Sequence, residues 1–157
     1  MEMSQILYIT ILTFIACLGL SIHFNLKGYL MAVAAFGGAL TLFVFEIAQP
    51  MHSIVAQSFV ASIVSSIYAE SLARKLKVPA TTFLIIAIIP LVPGSNIYHT
   101  MELCINRQIM PFITAALQTL GIAGAIALGI LFVSSIFRFI TVIKNVSARK
   151  RIKTTSR

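Results

Sequence analysis

Five apolar stretches, each close to the roughly 20 residues that a helix needs to cross the hydrocarbon core of a bilayer, fill most of this chain. They run over about 5–24, 28–48, 51–72, 80–103 and 110–137, with only short polar links between them. Hydrophobic residues make up 59% of the chain, against about 45–50% in soluble domains. Charged residues are only 10%, where an ordinary globular surface needs about 25%. The surplus apolar surface must face lipid. The sequence therefore predicts an all-α polytopic membrane bundle of five transmembrane helices. It divides into a membrane domain, 1–143, and a basic cytoplasmic tail, 144–157, expected to fray beyond the last helix.

Charge placement supports this count. The net charge is +8, and seven of the twelve Lys and Arg residues lie from Arg138 onward. With five spans and the tail inside, Lys27, Arg74, Lys75 and Lys77 also fall inside, and only Arg107 falls outside. That is the bias expected of cytoplasmic loops. The N-terminus is then outside. A four-span arrangement satisfies the charge rule nearly as well. However, the run 28–48, whose only charge is Glu46 near its end, is long enough to insert. The basic flank suits orientation in a membrane and contact with anionic lipid, and no nucleic-acid module accompanies it. The first run has no positive leading segment and no small-residue cleavage site, so it reads as a retained span. Cys17 and Cys104 have no metal-ligand or CxxC spacing.

Helices in lipid associate where small residues allow close approach. The second span offers Ala34-xxx-Gly38 and Ala35-xxx-Ala39, and the fifth offers Gly121-xxx-Ala125-xxx-Gly129. Ser58-xxx-Ser62-xxx-Ser66 in the third span reads two ways, as a packing seam or as the lining of a polar path.

The fourth span is the most informative. Pro90 and Pro93 remove two amide donors and clash with the preceding turns. Gly94 follows, with the conformational freedom of glycine. A continuous helix through this stretch is not expected. One half-helix over Thr81–Ile89 and another over Ser95–Cys104 are, with Ser95 or Asn96 as N-cap. Such breaks are tolerated where protein or a wet cavity surrounds them, and transporters bind substrate at them. The second half-helix would present free amides to a carboxylate. Unpaired carbonyls near Ile89 would take an ammonium group, a cation or water. The bland alternative is a proline kink. Tyr98 follows within one turn and would reach a substrate or close the gap between helices. The candidate substrate contacts are thus Pro90, Pro93, Gly94, Ser95, Asn96, Tyr98, Ser58 and Ser62.

Glu46, His52 and Glu102 fall on the outer side, either as interfacial residues or as a proton- or ion-coupled vestibule. Glu70 and Arg74, four apart, read as a helix-stabilising pair. No HExxH, GxSxG or Walker motif is present, so no enzyme, cofactor or metal is expected.

The stretch 65–74 (SSIYAESLAR), then 77–83 (KVPATTF), then 89–94 (IPLVPG) with Tyr98 and Met101, resembles the threonine/serine exporter family, in particular its small, YjjB-like branch. The resemblance runs from about Asn25 into the fifth span. It implies export of threonine, serine or a dicarboxylate such as succinate, across the bacterial inner membrane. It also implies a larger partner subunit bearing the other membrane half. A structural or regulatory subunit that never touches substrate is the competing reading. An unrelated small channel or assembly factor is a third.

Overall fold

The computed structural model describes residues 3–155, with side chains described through residue 143. Six α-helices follow in chain order: α1 (Met3–His23), α2 (Tyr29–Ile47), α3 (Ile54–Leu76), α4 (Ala80–Ile88), α5 (Gly94–Ile105) and α6 (Ile109–Thr155). Short 3-10 turns occupy Gln49–Met51 and Ile89–Leu91. Among the described residues there is no strand. Helices α1, α2, α3 and the 109–143 part of α6 are each long and apolar enough to cross a membrane. The α4–α5 pair, bent by 50°, makes a fifth span if it is counted as one. The tail expected to fray instead continues α6 as backbone helix to Thr155. Its basic side chains lie outside the described residues.

Three helices stop in the same way. Asn25, Lys77 and Arg107 take the left-handed conformation (φ 57°, 55° and 56°). The next amide then reaches back to a carbonyl of the last turn: Leu26 to Ser21, Val78 to Ala73 and Gln108 to Leu103, at 3.0–3.2 Å. This closure satisfies a carbonyl that the helix end would otherwise orphan. Pro79 follows and prevents α3 from continuing. At the other end of α3, Ser53 caps by accepting the Ala56 amide.

The predicted seams form. Ala34, Ala35, Gly38 and Ala39 are all buried on α2, which packs against α1, α3 and α4. Gly38 lets the Cys17 thiol lie against its backbone, and Gly37 does the same for the Tyr68 ring. The Tyr68 hydroxyl donates to the Val33 carbonyl at 2.7 Å, tying α3 to α2. A hydrogen bond of this kind contributes about 1 kcal/mol to stability.

Helix α6 runs parallel to α3 along its glycine seam. A Cβ at Gly121 would lie 3.2 Å from Val55, and Gly129 closes against Ser62. At the far end the Arg74 guanidinium donates to the Thr141 hydroxyl (2.7 Å) and the Phe137 carbonyl (3.0 Å). It also stands 5.0 Å over the Phe137 ring. The expected Glu70–Arg74 pair is present at 3.8 Å. This register leaves the section of α6 from Ile109 to Gly121, roughly 18 Å at 1.5 Å per residue, beyond the start of α3. Alongside that overhang lies α5, which packs mainly on α6 and has no buried residue.

Candidate functional site

The helix break is real, and its local chemistry differs in detail from expectation. Pro90 has no amide for the Ile86 carbonyl, and the Cys17 thiol takes that acceptor at 3.9 Å. The Ile89 carbonyl, expected to be open to an ammonium group, accepts the Val92 amide at 3.1 Å. Neither Ser95 nor Asn96 is the N-cap. Pro93 holds that position and α5 begins at Gly94, with no side-chain cap. The fixed ring of Pro93 (φ −77°) already sets the entry angle, so the helix starts two residues earlier than a Ser95 cap would place it. Gly94 takes ordinary helical angles, and the glycine with positive φ is Gly28.

Within the first turn of α5, the Gly94 amide bonds the Val92 carbonyl (2.7 Å) and the Ile97 amide bonds the Pro93 carbonyl (2.9 Å). The amides of Ser95 and Asn96 are therefore the orphan donors of this helix start. Both residues line a cavity of about 250 Å³ between the break, α2, α3 and α6. Its walls are Phe45, Ile54, Ser58, Leu91, Val92 and Ile122, with Pro90 and Pro93 at the break. Five of the expected contacts, Ser58, Pro90, Pro93, Ser95 and Asn96, thus meet in one place.

The other three do not line it. Gly94 has open space where a Cβ would stand. Tyr98 is 74% exposed on the outer face of α5. Ser62 is buried in the seam with Gly129. The serine series therefore divides. Each hydroxyl donates back to its own helix: Ser58 to Ile54, Ser62 to Phe59 and Ser66 to Ser62. Of the three, only Ser58 reaches the cavity, and Ser66 is buried with Ser62.

Phe45 lies near the end of α2, and Ile54 and Ser58 lie in the first turns of α3. The cavity thus sits toward the end of the bundle where α2 passes into α3.

Glu46, His52 and Glu102 occupy this same end without joining one another. Glu46 accepts the Gln49 side-chain amide at 2.7 Å. His52 is exposed at the turn, in the left-handed conformation (φ 52°). Glu102 lies 3.4 Å from His99 Nδ1, with both side chains more than half exposed. Sequence reasoning missed the pairing of Thr100 on α5 with Thr119 on α6 (3.3 Å). That pairing, with Gly121 opposite Val55, sets the second half of α5 level with the start of α3 and the His52 turn. It also missed the roles of Tyr68 and Cys17 in holding the helices around the break. Among the described residues no three metal-ligating side chains converge.

Residues 9–136, most of the chain, match the model of a family described as threonine/serine exporter, ThrE. No curated protein and no solved structure matches the chain.

Proposed function

This chain belongs to the threonine/serine exporter family, and from that premise we propose that the cavity at the α4–α5 break is where the exported solute binds. The chain is a multi-pass membrane protein of a transporter family. In this reading it is the small half of a secondary transporter and works with a larger subunit that bears the other membrane half. Its solutes are small and carry a carboxylate: threonine and serine, or a dicarboxylate such as succinate.

The observation that carries the reading is the convergence of Ser58, Pro90, Pro93, Ser95 and Asn96 on one cavity of about 250 Å³. Drug-sized ligands occupy pockets of roughly 300–1,000 Å³, so this volume suits a smaller metabolite. The orphan amides of Ser95 and Asn96, at the positive end of the α5 dipole, favour a carboxylate. The Ser58 hydroxyl, whose proton goes to Ile54, keeps lone pairs for a donor such as an ammonium group. Broken backbone lining a cavity is how many carriers coordinate charged solutes without burying a fixed charge. In this reading the membrane is the bacterial inner membrane, and the positive flank from Arg138 onward supports a C-terminus in the cytoplasm with the N-terminus outside. Glu46, His52 and Glu102, at the outer end, are the candidates for proton or ion coupling.

The test is efflux from cells preloaded with threonine, serine or succinate, expressing this chain, the larger subunit, or both. Release only from cells with both supports the two-subunit carrier and names the solute. No added release, with both proteins verified in the membrane, rejects it for these solutes. Release that survives filling of the cavity at Ser58 would favour a small subunit that only supports its partner.

A further inference from the structure

Helix α5 has three distinct faces. Asn96, Thr100 and Leu103 are its half-buried residues, and Thr100 meets α6 at Thr119. Ile97, Met101 and Ile105 form an exposed apolar face. Ser95, His99 and Glu102 form an exposed polar one. The last three follow at steps of four and three residues, so they stack along one side of the helix.

Resting on the transport reading above, we propose that the Ser95–His99–Glu102 stripe is the water-exposed wall of a passage from the cavity to the Glu46/His52 end of the bundle. Three observations carry this. The stripe begins in the cavity, because Ser95 lines it. It ends level with the α2–α3 turn, because Thr100 is set by Thr119 and the overhang of α6 carries α5 with it. All three side chains are exposed in the described chain, where α5 makes its main packing contact with α6. An imidazole and a carboxylate left against hydrocarbon would each carry a desolvation cost of several kcal/mol. Water along the stripe removes that cost, and a hydroxyl, an imidazole and a carboxylate in series hand a polar solute from one partner to the next. The apolar face with Ile97 and Met101 has no such need and meets lipid or protein.

The experiment uses the full chain, coexpressed with its larger partner in intact cells. Cys104 is changed to Ser, and buried Cys17 is left in place. Single variants Ser95→Cys, His99→Cys, Glu102→Cys, Ile97→Cys and Met101→Cys are exposed to a charged, membrane-impermeant thiol reagent. Total thiol after denaturation corrects for abundance. The reactive thiolate forms readily only in wet surroundings, so the three stripe positions should react roughly tenfold or more faster than Ile97→Cys and Met101→Cys. Preloading with threonine should slow the reaction at Ser95→Cys. Equal rates on both faces, or reaction confined to Glu102→Cys, would overturn the wall. Accessibility is read without transport, so the two claims separate. Contrast without efflux would refute the carrier reading and keep the wall, and efflux without contrast would refute the wall alone.

Discussion

Gly129→Ala should be the most damaging single-methyl addition on α6, and the structure supplies its size. A Cβ there falls against the Ser62 hydroxyl, 3.1 Å from Ser62 Cβ and 3.2 Å from the Phe59 carbonyl. The obstacle cannot easily yield, because the Ser62 hydroxyl is itself bonded to the Phe59 carbonyl at 2.8 Å. Overpacking of this kind costs about 1–3 kcal/mol, and a rigid neighbour puts it in the upper part of that range. Replacing glycine by alanine in a helix returns about 1 kcal/mol. The net loss is about 1–2 kcal/mol, a five- to thirtyfold shift in the folding equilibrium. Gly124→Ala, five residues earlier, meets nothing within 4 Å and should be neutral or slightly stabilising. Gly121→Ala, facing only the tip of Val55 at 3.2 Å, should fall between them. The assay is reversible unfolding in mixed micelles or bicelles, followed by helix content or a tryptophan introduced at a lipid-facing site. Adding Ser62→Ala to Gly129→Ala should recover a large part of the loss. Equal stability of the Gly129 and Gly124 variants, or no recovery in the double variant, would refute the α3–α6 register.

Other predictions follow from single contacts. Tyr68→Phe removes the bond to the Val33 carbonyl and should lower stability by about 1 kcal/mol, read in the same unfolding assay. Arg74→Lys keeps the charge but cannot reproduce the forked contact with Thr141 and Phe137. It should loosen the end of α6, seen as faster amide exchange around Thr141, with a stability loss below about 1 kcal/mol because the site is partly exposed. Ser58→Val and Ser62→Val should separate the two uses of the serine series. The first should raise the threonine concentration needed for half-maximal efflux with the protein still assembled, whereas the second should reduce membrane abundance first.

Much of this architecture was readable because lipid imposes a simple length rule. Runs of apolar residues ended at Phe24, Ala48 and Leu72 in the sequence, and α1, α2 and α3 end within a few residues of those points. Pro90 and Pro93 announced the break, because each lacks a donor wherever it lies. The small-residue series on α2 and α6 also showed which faces would pack. Pairing between distant elements was not readable. Ser58 and Ser62 have the same type and spacing, yet one meets a cavity and the other meets Gly129. Only the parallel register of α3 and α6 decides which. Likewise, nothing in the local sequence distinguishes an Arg74 that serves Glu70 alone from one that also reaches Phe137 and Thr141. The helix start at Gly94 was misread because Ser and Asn are good caps in general. Here the preceding proline fixed the turn before they could act.

The central claim is that the cavity at the break holds the solute, and binding of isotopically labelled threonine tests it most directly. The protein would be the purified chain with the larger subunit proposed above, compared as wild type and as Asn96→Leu. Asn96 lines the cavity at the first turn of α5, and leucine there replaces a polar contact with apolar bulk. The account predicts that binding weakens at least about tenfold, or 1.4 kcal/mol, while the two proteins still copurify. Unchanged affinity in a correctly assembled Asn96→Leu complex would contradict it.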